Sequence, residues 1–192
     1  APTMGMGVHV ATCDVDADGS AEIIVAAARG GGPHVRIFSG SGVAKDGGGF
    51  FAYVQSLRSG LNLTCGNLDD ESGDELVTLP APGDTPHVRV WKWNDGHMVL
   101  YKEFFAGGQD DLRGHIGLVH DKKIYLSSQK GNLANVKTYV IHSPSTAIEE
   151  KNIPLNAYGV LSRFAQNGVV KLSTTNGTII DLSTFAVSEH GA

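Results

Sequence analysis

Apolar residues along this chain fall in short runs parted by glycines, prolines or acidic residues. In the first fifty-odd positions the runs predict four strands, at about 7–13, 22–28, 34–39 and 50–55. The run Ile23-Ile-Val-Ala-Ala-Ala28 is apolar on both alternating faces, so its strand is expected to be covered on both sides. No segment keeps a 3.6-residue period with caps at both ends. One short helical turn is expected around Ser145 to Lys151.

The runs repeat. Val10 to Val25, containing Asp14-Val-Asp16-Ala-Asp18-Gly19-Ser20-Ala-Glu22, aligns without a gap on Leu63 to Thr78, containing Asn67-Leu-Asp69-Asp-Glu71-Ser-Gly73-Asp-Glu75. The offset is 53 residues, and it also carries Pro33-His34-Val-Arg36-Ile onto Pro86-His87-Val-Arg89-Val. Two separate motifs at one offset indicate duplication. Weaker copies start near Ile116 and Val160, and both lack the acidic loop. The units lie near 7–58, 59–112, 113–157 and 158–192. Four-stranded antiparallel sheets stacked between similar sheets predict an all-β, β-propeller-like domain over 1–192 with about four blades.

The 25 glycines and 7 prolines agree with many turns. Net charge is −5 and no basic stripe is present, which argues against nucleic acid. No apolar run can span a membrane, and no charged n-region precedes an apolar h-region. Cys13 and Cys65 occupy different repeat registers. That favours two buried free thiols over a bond between neighbouring repeats, and the redox compartment stays open.

The acidic loop carries the clearest chemistry. Carboxylates at its first, third and fifth positions, Asp14, Asp16 and Asp18, point at a common centre. Ser20 can add its backbone carbonyl, Glu22 can close the shell, and Gly19 permits the bend. Oxygen ligands this dense suit Ca²⁺ better than Zn²⁺ or Cu²⁺. An EF-hand would need an acid where Val25 stands, and helices on both flanks. In the second repeat the set is Asn67, Asp69, Glu71, the Gly73 carbonyl and Glu75. It is a weaker second site, because Ser72 replaces the turn glycine.

At these residues the chain resembles the FG-GAP/VCBS-type repeat family, also found in the integrin α-subunit propeller. The matching parts are Val8–Cys13, the loop Asp14–Glu22, Ile23–Ala28, Gly30-Gly-Gly-Pro33 and His34-Val-Arg-Ile-Phe38. Gly83-Asp-Thr-Pro86 and His87-Val-Arg-Val-Trp91 supply the second copy. The resemblance is specific over residues 7–93. It implies propeller blades with structural calcium in the hairpins. Family rings usually hold more than four blades, which leaves a small complete ring, part of a larger ring, or a partial ring completed by another copy.

Trp91 and Trp93 share a strand face and are candidates to stack on a ligand, although packing between blades accounts for them as well. His34 and His87, with Arg36 and Arg89, recur with the repeat and are read mainly as inherited packing. His115 and His120 lack zinc-ligand spacing. Gly40-Ser-Gly-Val-Ala-Lys45 reads as a hairpin turn, not a phosphate loop. Asn62 and Asn176 head glycosylation sequons, Asn62 on an inner strand. No nucleophile–base pair or metal-free acid pair is evident. The expected function is a non-enzymatic, calcium-stabilised module that binds a protein or a glycan. Self-association or membership of a larger assembly as an accessory subunit is the alternative, and a polysaccharide-active enzyme is a third, disfavoured one. Weak calcium sites suit an extracellular, periplasmic or cell-surface setting.

Overall fold

The computed structural model describes residues 7–128, 134–143, 146–155, 162–166, 169–173, 178–182 and 187–189. None of them is helical, and among them no helix is long and apolar enough to cross a membrane. The chain forms four four-stranded antiparallel sheets, each a meander of consecutive strands. Sheet 1 holds β1 (Val8–Cys13), β2 (Glu22–Ala27), β3 (His34–Phe38) and β4 (Ala44–Phe51). Sheet 2 holds β5 (Leu61–Gly66), β6 (Glu75–Pro80), β7 (His87–Asn94) and β8 (His97–Phe105). Sheet 3 holds β9 (His115–His120), β10 (Lys123–Ser128), β11 (Ala134–Ser143) and β12 (Thr146–Leu155). Sheet 4 holds β13 (Ser162–Gln166), β14 (Val169–Ser173), β15 (Thr178–Asp181) and β16 (Val187–Glu189).

Sheets 1, 2 and 3 stack in that order, with the first strand of each beside the first strand of the next. Cys13, Ile24, Ala26, Val35 and Ile37 of sheet 1 pack on Leu61, Leu76, Trp91 and Met98 of sheet 2. The other face of sheet 2, with Val77, Leu79, Val88 and Val90, packs on Val119, Ile124, Leu126 and Tyr139 of sheet 3. Central β6 is buried at every residue. The hydrophobic contacts at these two interfaces carry most of the stabilisation of the stack.

Four expectations are corrected. The fourth strand of sheet 1 spans Ala44–Phe51, earlier than read, and contains Gly47-Gly-Gly49. The glycines serve close approach: a Cβ on Gly47 would lie 2.1 Å from the Gly96 carbonyl oxygen in the turn of sheet 2. Residues 146–151 are strand, paired with β11 through a register shift, and not a helical turn; Ser145 lies outside the described residues. Strand β2 is covered on one side only. Ile23, Val25 and Ala27 are half-buried and share a face with Val8 and Val10, which are 54% and 55% exposed.

The fourth correction is a bond: Cys13 and Cys65 form a disulfide, with Cα atoms 6.2 Å apart. Strands β1 and β5 pair in equivalent registers, Cys13 with Glu22 and Gly66 with Glu75. Residues 53 apart therefore occupy the same face of their own sheets. A side chain that meets the neighbouring sheet must come from the opposite face, one position out of register. Cys13 and Cys65 are 52 apart. The mismatch that argued for free thiols is what lets them meet.

In sheet 3 the acidic loop is replaced by a two-residue turn, Asp121-Lys122, with both φ angles positive, at 47° and 56°. That is the favoured twist for a tight hairpin.

Candidate functional site

Each acidic loop joins the first two strands of its sheet. In the first, Asp14 takes the amides of Asp18 at 3.1 Å and Gly19 at 2.9 Å, and Asp18 takes the amide of Ser20 at 2.8 Å. Ala17 and Gly19 adopt positive φ, 60° and 88°, so the chain turns tightly enough to fold its carboxylates inward. Atoms of Asp14, Asp16 and Asp18 lie within 4.8 Å of one another, a spacing at which they can share one metal ion. Asp16 Oδ1 is buried with no hydrogen-bond partner. Three hard oxygen ligands at this spacing fit an oxygen-seeking cation.

Glu22 is 1% exposed. Its Oε2 accepts from the Val15 amide at 3.0 Å, and its Oε1 accepts from the Lys45 ammonium at 2.8 Å. Lys45 also pairs with Asp16 and lies 3.8 Å from Asp18 Oδ2. Burial lowers the pKa of Lys45, but its hydrogen bonds to Asp16 and Glu22 outweigh this and hold it above the ordinary lysine value.

The second loop keeps part of this design. Glu75 Oε2 accepts from the Leu68 amide at 2.7 Å, matching Glu22 and Val15. Burial raises the Glu75 pKa. The Asn67 amide donates to the carbonyls of Glu71 at 2.8 Å and Gly73 at 3.2 Å, tying the loop together. Asp69, Glu71 and Glu75 gather around Lys92, whose ammonium lies 2.7 Å from Glu71 and 3.6 Å from Glu75. Among the described residues, only Asp14, Asp16 and Asp18 form a group able to take a metal. The two loops touch: the Asp74 amide donates to the Asp14 carbonyl at 2.8 Å, and the Asp14 amide donates to Asp74 Oδ2 at 3.2 Å.

The other candidates are dispersed. Trp91 is buried between sheets 1 and 2, its indole N–H donating to Thr78 Oγ1 at 3.0 Å. Trp93 packs beside that core, under Lys45. His34 lies on the open face of sheet 1 against Phe51, ring centroids 4.9 Å apart. His87 stacks on Phe105 at 4.6 Å, and its pKa is lowered by burial and by Arg89. Asn62 is buried and donates to the His115 carbonyl, so its sequon is closed to a glycan. Asn176 lies outside the described residues.

Of Trp91, Trp93, His34 and His87, only His87 lines a cleft of about 530 Å³ between sheets 1 and 2. The β2–β3, β4–β5 and β6–β7 connections wall it, at the end of the strands opposite the acidic loops. Arg29, Arg58 and Arg89 line it, together with one carboxylate, Asp84. Arg89 is held by the Ala52 carbonyl and Glu103 and stacks over Tyr53 at 4.8 Å. Arg29 and Arg58 are exposed. Arg29 and Arg58 come from two separate connections and Arg89 from strand β7, so spacing along the chain gave no sign of the cleft. No protein-family model matches this chain, and no curated protein sequence matches it.

Proposed function

We propose that this chain is a non-enzymatic, calcium-stabilised module of β-propeller type, of the FG-GAP/VCBS kind, that binds an acidic protein or glycan outside the cell or at its surface. The observation that carries this reading is the convergence of Asp14, Asp16 and Asp18, with Asp16 Oδ1 buried and unpartnered. Asp14, Asp16 and Asp18, with the Ser20 carbonyl and Glu22, would hold the ion. When bound, calcium supplies the positive charge that relieves repulsion among these carboxylates. The loop's amides hold Asp14, Asp18 and Glu22 in place, a structural role and not a reactive one. The stacking of sheets 1 to 3 supports the blade arrangement, and the disulfide suits an oxidising setting.

Calcium at 10 mM is expected to raise unfolding free energy by about 2 kcal/mol over EDTA, or about 4–8 °C in melting temperature, for a weak extracellular-type site. Asp16→Asn should abolish the shift. Identical melting in calcium and EDTA would remove calcium from the reading.

The binding half rests on the cleft. A cleft with three arginines and one aspartate in a chain of net charge −5 favours carboxylate- or sulfate-bearing ligands. Arrays of acidic and neutral peptides and glycans should show acidic probes preferred. Arg29→Glu combined with Arg58→Glu should weaken that binding by about tenfold or more. Equal binding of neutral probes, or no loss in the double variant, would sink the cleft assignment.

A further inference from the structure

The two acidic loops are copies of one another, but the lysines that close them are not. Lys45 stands at the start of β4, and the position 53 residues on is Met98. Lys92 stands in β7, and the position 53 residues back is Ser39. From these unrelated places both ammonium groups reach the same three loop positions: Asp16, Asp18 and Glu22 in one, Asp69, Glu71 and Glu75 in the other. At the base of each set sits a carboxylate nearly closed to water, Glu22 at 1% and Glu75 at 2% exposure. A buried carboxylate without a cation is costly. Convergence from two sequence positions indicates that each loop requires a positive charge at this point, whichever strand delivers it.

The loops then differ in what remains open. In the second, Asn67 replaces the first aspartate and spends its amide on the Glu71 and Gly73 carbonyls, so the centre is closed by the protein itself. In the first, Lys45 leaves Asp14 untouched, and Asp16 Oδ1 stays buried and unpartnered. We infer that lysine is the resident counter-cation of both loops: Lys92 makes the second loop independent of metal, and Lys45 sets the calcium threshold of the first. This rests on the calcium reading given above. Asp16 and Glu22 can turn fully to a metal only when the Lys45 ammonium leaves them. A tethered ammonium always present at the site competes with free calcium and confines occupancy to high concentrations. It also keeps the loop folded when calcium is scarce.

The test uses the full chain with calcium chloride alone. Calorimetric titration of wild type should give one bound calcium. Lys45→Met should bind it about tenfold or more tightly, since both a competitor and a like charge are gone. Lys92→Met should still bind one, and should melt lower than wild type in EDTA. Because a variant can fail to fold, amine acylation followed by mass spectrometry is read on wild type as well. Lys45 should label slowly in EDTA and faster in saturating calcium, whereas Lys92 should label slowly in both. Calcium binding with Lys45 labelling unchanged and Lys45→Met no tighter would overturn the threshold while leaving the calcium reading intact. No calcium uptake by wild type or by Lys45→Met would overturn both. Two calcium ions on wild type would overturn the assignment of Lys92.

Discussion

Breaking the Cys13–Cys65 disulfide is expected to lower the unfolding free energy by about 4 kcal/mol, the loop-closure value for cysteines 52 apart. The bond closes a loop that contains three of the four strands of sheet 1, so it restricts the unfolded chain strongly. In the folded state it joins β1 to β5 just before the two acidic loops begin, where Asp14 and Asp74 also exchange hydrogen bonds. Urea melts of wild type and of the Cys13→Ser, Cys65→Ser double variant measure the difference. A loss below about 1 kcal/mol would mean that the sheet interface alone sets the unfolded and folded ensembles at this seam.

Acid should destabilise the protein through His115. The imidazole is 4% exposed on β9, its Nδ1 has no partner among the described residues, and burial brings its pKa down to about 4. The Asp111 carboxylate opposes this, and Arg113 and Lys137 add to it. Asp111 itself, held at about 2 by Arg113, stays ionised throughout. A lowered folded-state value means the unfolded chain binds the proton more readily. Above the ordinary histidine value of about 6.5 the term is silent, because the ring is neutral in both states. Between about pH 6.5 and pH 4 the unfolded state is progressively favoured, to a total of about 3 kcal/mol. Below that, both states are protonated and the loss stops growing. His115→Phe should flatten the stability slope across this window, whatever its stability at neutral pH. An unchanged slope would show that the acid sensitivity lies elsewhere.

The sequence disclosed features that depend on neighbours along the chain. Alternating apolar residues marked most strands, and the spacing of Asp14, Asp16 and Asp18 marked the one acidic group among the described residues that could hold a metal. Features that depend on distant partners were hidden. Gly47-Gly-Gly49 reads as a turn until the Gly96 carbonyl is placed against it. Lys45 seemed an ordinary hairpin residue, and Lys92, lodged between two tryptophans, drew no notice. The arginines of the cleft lie on two connections and on β7, and nothing local links them. Both faces of β2 are apolar, yet pattern alone cannot say that one remains open.

The odd length of the repeat bears on the history of the disulfide. Duplicating a unit that carried one cysteine would place its copy 53 residues on, facing the same way in its own sheet, where the two sulfurs cannot meet. Position 66 is in fact glycine and position 12 threonine. The bond therefore joins two positions that the repeat does not relate, and it ties sheets 1 and 2 covalently into one body.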